Sequence, residues 1–283
     1  MLKNIVLTGF ADEIDGMLDR QMEVIKKLGM SYIEMRGVDG KNLVEYPIEK
    51  VKEIKSRIAN NGIRLSAIGS PLGKIGILDD FAPHMELFKH TVEIAHVMEV
   101  VNIRMFSFYI PEGDQRSTHR SAVIDRLGQF AEYASANKIT LLHENETGIY
   151  GEKAADCLDL MKEFYGTYFK AVFDFANFVQ AGQDTMEAYE MLKPYIAYIH
   201  IKDAERHNGR VVPSGYGDGR VKDILKLLNE SGYNGFLSLE PHLSHFTGFD
   251  TLEQGGKLGK TLTGEEAFTL AHDSLMKILC DIL

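Results

Sequence analysis

Eight short runs of strand-forming residues, with helix-like segments between them, constrain this chain more than any other feature. The runs are "NIVLTGF" (4–10), "SYIEMR" (31–36), "IRLSAIG" (63–69), "VVNIRMF" (100–106), "ITLLHEN" (139–145), "KAVFDF" (170–175), "IAYIHIK" (196–202) and "GFLSLE" (235–240). Several are apolar at nearly every position, as parallel strands covered on both faces should be. Between them lie amphipathic stretches. Ile14, Leu18, Ile25 and Leu28 fall on one helical face, and Gly29 can end that helix. Pro47 suits a first helical position ahead of the stripe Ile48, Val51, Ile54 and Ile58. Thr263 with Glu266 three residues on predicts a capping box for the last helix.

Strands and helices alternating eight times predict an α/β fold, a single-domain (β/α)8 TIM barrel over residues 1–283. A doubly wound open sheet is the competitor, but no Gly-x-Gly-x-x-Gly follows the first strand. Loop lengths point the same way. Helix-to-strand connections are terse, whereas strand-to-helix connections are long, at 37–46, 70–80, 107–115, 203–219 and 241–262. In such barrels the strand-to-helix face carries the active site.

Charge narrows the function classes. With 31 Lys and Arg against 41 Asp and Glu the net charge is −10, which counts against nucleic acid as a partner. Cys157 and Cys280 are too few for a disulfide framework. The opening run lacks the length and flanks of a signal peptide, and no segment is apolar enough to span a membrane. A cytoplasmic enzyme is the expectation, with homo-oligomer formation left open.

Four polar residues sit at the ends of four successive strands: Glu144, Asp174, His200 and Glu240. Three converging carboxylates repel one another and need protons or a cation. Oxygen-rich donors with one imidazole suit a single divalent ion, Mn²⁺ first, with Mg²⁺, Co²⁺ or Zn²⁺ as alternatives.

On these motifs ("ENE", "DFAN", "HIKD" and "LEPH", with "TGFADE" near the start) the chain resembles the xylose isomerase-like barrel superfamily. The resemblance is to its sugar phosphate isomerase/epimerase branch, which holds tagatose 3-epimerase-like and inosose dehydratase-like enzymes. It covers nearly the whole chain. It implies that Glu144, Asp174, His200 and Glu240 bind the metal, and that Arg206 contacts substrate. Two positions depart from the pattern. Asn177 stands where the family has a histidine, and Tyr150 where several epimerases have a glutamate. An amide can still hydrogen-bond a sugar hydroxyl.

Other polar residues carry competing readings. Glu34 is expected to bind a substrate hydroxyl, to support His200, or to pair with Arg36. His143 should point away from Glu144 and pack. Lys202 and Asp203 either shape the site or are solvated. "PSGYGDGR" (213–220) reads as a flexible turn ahead of a phosphate cradle. Arg206, His207, His242 and His245 either close over substrate or form polar surface.

The expected function is a metal-dependent sugar or sugar-phosphate isomerase/epimerase acting on a small-molecule carbohydrate through an enediolate. Glu144 and Glu240 would be its acid/base pair. A dehydratase starts with the same proton removal and is the alternative. An apurinic endonuclease or a non-catalytic sugar-binding barrel ranks lower.

Overall fold

In the computed structural model, which describes residues 5–243 and 262–282, the eight apolar runs become eight parallel strands. They are β1 (Val6–Gly9), β2 (Tyr32–Met35), β3 (Arg64–Gly69), β4 (Asn102–Met105), β5 (Thr140–Glu144), β6 (Phe169–Asp174), β7 (Ile196–Ile201) and β8 (Phe236–Leu239). Their order in the sheet is β1-β8-β7-β6-β5-β4-β3-β2. A parallel bridge between Phe10 and Glu34 joins the two edges. The α/β barrel is therefore almost closed, as the alternation predicts.

The helices α1 (Leu18–Lys27), α2 (Ile48–Asn60), α3 (Ala82–Met98), α4 (Arg116–Ala136) and α5 (Ala154–Phe164) follow the first five strands. Two helices, α6 (Phe175–Gln180) and α7 (Thr185–Leu192), follow β6, and then come α8 (Val221–Glu230) and α9 (Gly264–Ile282). The first helix starts later than its apolar stripe suggests. Ala11–Glu13 form a 3-10 turn, and Leu18 N–H finds its acceptor on Asp39. Pro47 lies just outside α2, as its N-cap. The capping box of α9 is present, with Thr263 Oγ1 accepting from Glu266 N–H and Glu266 Oε2 accepting from Thr263 N–H.

Side chains alternate along each strand. One set packs outward against the helices in the main apolar core. The other fills the barrel, where Ala67, Leu142, Val172 and Tyr198 form a small apolar cluster. Beside it runs a buried polar column. Thr8 Oγ1 and Ser66 Oγ are 2.7 Å apart, Ser66 Oγ and Tyr198 Oη 2.9 Å, and Ser238 Oγ donates to Glu34 Oε2 at 2.6 Å.

The strand-to-helix loops are bonded to one another. Phe106 N–H reaches Leu72 O, Phe108 N–H reaches Gly73 O, and Tyr109 N–H reaches Ile75 O. The next loop joins through Ile110 N–H to Gly148 O and Tyr150 N–H to Phe108 O. Short hairpins stiffen the loops after β2 (Gly37–Val38 with Lys41–Asn42) and β7 (Asp203–Ala204 with Val211–Val212). His245 and most of the 241–262 loop lie outside the described residues.

Candidate metal centre

Glu144, Asp174 and His200 end their strands or nearly so, and Glu240 follows β8 directly. Two residues earlier on the same faces lie Leu142, Val172, Tyr198 and Ser238. The period of two thus turns all four site residues into the barrel mouth, above a filled layer. All four are buried, and one ligand atom from each lies within 4.8 Å of the other three. His200 Nδ1 is 2.8 Å from Glu144 Oε1, 3.8 Å from Glu240 Oε2 and 3.9 Å from Asp174 Oδ2.

Supporting contacts fix this arrangement. His200 Nε2 faces both Glu34 oxygens at 3.2 and 3.3 Å, so Glu34 orients the imidazole. Fully buried, Glu34 does not line the cavity, and Arg36 pairs instead with Asp12, Glu13 and Glu240. Of its expected roles, support of His200 is the one observed. The middle residue of "ENE" is structural: Asn145 donates to Asp174 O and accepts from Asp174 N–H, both at 3.0 Å. Asn177 is capped onto Asp174 Oδ1 and donates to Asn145 O at 2.9 Å, and its amide lies 3.4 Å from Glu144 Oε1.

Burial and charge compete at each carboxyl group. For Glu144, burial pushes the pKa up, but His200 and Arg104 overcome it and hold the value at about 2. Glu240 is likewise driven down against burial, by Lys202 and His200. Asp174 goes the other way: burial raises it to about 7, Lys202 offsetting only part. His200 is raised against burial by Glu144 and Glu34. Asp174 Oδ2 is buried and receives no hydrogen bond, although Lys202 Nζ lies 3.0 Å away. An orphaned carboxylate oxygen among three other donors fits a divalent cation.

A cavity of about 320 Å³ opens onto this cluster, lined by Glu144, Asn177 and Glu240. Four cations line it too: Arg36, Lys74, Arg104 and Lys202. Lys202 Nζ bonds Glu240 Oε2 at 2.8 Å, and Lys74 Nζ bonds Glu146 at 3.0 Å. Arg36 ties Asp12 to Glu240, at 2.8 and 3.3 Å. Sequence reasoning passed over Arg104 and Lys74; an arginine flanked by Ile103 and Met105 in the strand run "VVNIRMF" is the signal that was available. Glu13, Glu240 and His242 form a second group with metal-like spacing. Arg36 already supplies its cation, 3.3 Å from both Glu13 and Glu240.

A family model described as xylose isomerase-like TIM barrel matches residues 22–260. The chain belongs to that family. It is 21% identical over 175 residues to a 3-dehydroshikimate dehydratase of Bacillus anthracis, and the match spans 62% of each protein, less than two thirds of that relative's length. Among solved structures, a D-tagatose 3-epimerase-like protein superimposes with a TM-score of 0.75 at 16% identity, with 98% of each chain covered. The IOLI protein with a bound zinc atom gives the same TM-score and identity, covering 98% of this chain and 99% of its own. At such identities the structures attest the shared fold. Of these proteins one is named a dehydratase and one is described as epimerase-like.

Arg206 is exposed on the loop after β7, where Asp218 accepts its backbone N–H, and it is not among the cavity-lining residues. His143 packs, with Nε2 on Ser107 Oγ at 3.0 Å and its ring stacked on Phe169. The run 213–220 is neither a free turn nor a phosphate cradle. Its Gly215, Gly217 and Gly219 amides all donate to Asp203. A Cβ on Gly217 or Gly219 would stand 2.4 or 2.6 Å from that carboxylate, which is why glycine is needed there. Among the described residues no helix is long and apolar enough to cross a membrane.

Proposed function

We propose that this protein is a divalent-metal-dependent isomerase/epimerase that moves a proton at the carbon beside the carbonyl of a polyhydroxylated ketone. The observation that carries the reading is the four-donor cluster at the floor of a cavity of monosaccharide size. A divalent ion held by Glu144, Asp174, His200 and Glu240, with Mn²⁺ our first choice, would polarise the carbonyl and an adjacent hydroxyl. Glu144 and Glu240 stand on strands separated by two others, so they flank a substrate lying across the cluster. Neighbouring cations hold both pKa values low, so one carboxylate can accept the substrate proton on its face and later lose it to solvent, while the other takes a proton from solvent and delivers that one to the opposite face. Asn177 offers an amide to a substrate hydroxyl, and Arg206 is assigned a substrate contact from its exposed loop.

One observation favours a dehydratase as second reading. Lys202 holds an ammonium 2.8 Å from Glu240 and 3.0 Å from Asp174, where it can protonate a departing hydroxyl. The match to a 3-dehydroshikimate dehydratase agrees with that chemistry.

NMR in deuterated water, with Mn²⁺-loaded protein and a panel of ketoses, their phosphates and inososes, separates the two. Deuterium at an inverted carbon indicates epimerisation, and an unsaturated product indicates elimination. Glu144→Gln and Glu240→Gln should each abolish net epimerisation. Near-normal turnover in either variant rules out the two-carboxylate scheme, and exchange on no compound by metal-loaded protein sinks the reading.

A further inference from the structure

Arg104 is a buried cation whose hydrogen-bonding capacity is not used up. It is 4% exposed and lines the cavity. Its guanidinium carbon lies 4.6 Å from the Phe106 ring centroid and 5.2 Å from that of Phe10, so two aromatic faces fix its plane. Nη1 donates to Ser70 O at 3.0 Å. Nε makes no hydrogen bond, and Glu144 Oε2, 3.3 Å away, is an ion-pair neighbour only. A guanidinium carries five N–H donors, and buried donors want partners. Glu144 is only part of the answer, because its Oε1 is engaged by His200 at 2.8 Å, its Oε2 faces Nε alone at 3.3 Å, and among the described residues no hydrogen bond uses Nη2.

Lys74 stands over the same Phe106 ring, its Nζ 4.3 Å from the centroid. Lys74 is already paired with Glu146 at 3.0 Å, so Arg104 is the cation on this wall with donors to spare for an anionic group on the ligand. The kind of anion follows from what the chain has left over. The glycine-rich run that might have cradled a phosphate has given three amides to Asp203. What remains is one guanidinium fork, which can hold either anion, and its single charge, with no backbone amides to supplement it, suits a carboxylate more closely than a phosphate dianion.

We infer that the substrate is a polyhydroxylated ketone bearing a carboxylate, which Arg104 holds while the hydroxy-ketone end lies at the four-donor cluster. This rests on the function proposed for the site and narrows it to a substrate class.

D-gluconate, D-glucitol and D-glucitol 6-phosphate share one carbon skeleton and probe the wall without needing turnover. Titration calorimetry on Mn²⁺-loaded protein, with metal content checked before and after, should find gluconate bound about tenfold or more tighter than glucitol, and tighter than the phosphate ester. Arg104→Met should bring gluconate down to the level of glucitol, and Arg104→Lys should recover part of the difference. Equal binding of gluconate and glucitol, preference for the phosphate ester, or an unchanged preference in Arg104→Met overturns the inference. If Arg104→Met does not fold, the preference of the unmodified protein and its reduction in Arg104→Lys decide. Gluconate preference with no deuterium exchange on any ketone would sustain the carboxylate site and sink the isomerase/epimerase reading alone.

Discussion

Asp203 commits both carboxylate oxygens to the backbone. Oδ1 accepts from Ala204 and Gly219 N–H, and Oδ2 from Gly215 and Gly217 N–H, at 2.9–3.1 Å. Asp203→Ala strands the buried amides of Ala204 and Gly219 and frees the more exposed ones of Gly215 and Gly217. It should lower the unfolding free energy by about 2–4 kcal/mol in urea titration and expose 213–219 to protease. Unchanged stability would mean the loop finds other partners. His84 makes a pH prediction. Its Nε2 accepts Gly73 N–H at 2.7 Å, which only a neutral ring can do, and burial with Arg126 nearby pushes its pKa down. The folded state therefore refuses a proton that the unfolded chain takes near pH ~6.5. The stability from His84 is complete above that pH and is lost as pH falls below it. His84→Gln keeps an acceptor and removes the titration, so its unfolding free energy should vary less between pH 7 and 5. Equal slopes would assign the effect elsewhere.

At the scale of elements, the loop after β3 is pinned to the loop after β4 at one crowded point. Gly73 has φ +83°, and a Cβ there would lie 2.1 Å from Phe106 O, a backbone atom with little room to yield. Gly73→Ala should cost about 2–4 kcal/mol, from strain and displacement together. Ser70, Pro71 and Lys74 of that loop line the cavity, so ligand affinity should fall as well. The four candidate metal donors sit on or directly after β5 to β8, so metal affinity should stay within a few-fold. Calorimetry with Mn²⁺ and with ligand checks the split, and equal loss of both would show that the wall and the floor are not separable.

For the whole molecule, the last helix joins the chain's far end to its first strand. Phe268 of α9 is fully buried, and its ring fills the space that a Cβ on Gly9 would take. Arg20 and Lys27 of α1 both pair with Glu265 of α9. Phe268→Ala should lower the unfolding free energy by about 3–5 kcal/mol, read as a lower urea midpoint. A shift of a few tenths would mean that α9 is a loosely held appendage. The barrel was legible in sequence because period and alternation are local signals. Glu144, Asp174, His200 and Glu240 were legible because a polar residue closing an apolar run is conspicuous. Lys202 and Asp203 were not, since a charged residue after a strand reads alike whether it is solvated or bound. Asp203 acquires its role only when residues 215–219 fold back over it, and Arg104 only when Phe10, from the end of β1, closes on it opposite Phe106, two residues along its own chain.

The polar column through the barrel has a consequence for how this sequence can drift. Thr8, Ser66 and Tyr198 share their hydroxyl groups with one another, and Ser238 bonds Glu34, which holds His200. Exchanging any one for a hydrocarbon isostere strands its neighbour's hydrogen bond in a dry interior, so each replacement alone is harmful where several together need not be. The interior of this barrel should therefore change in correlated sets, and the rate at which its candidate metal pocket can be remodelled is tied to hydroxyl groups buried beneath that pocket.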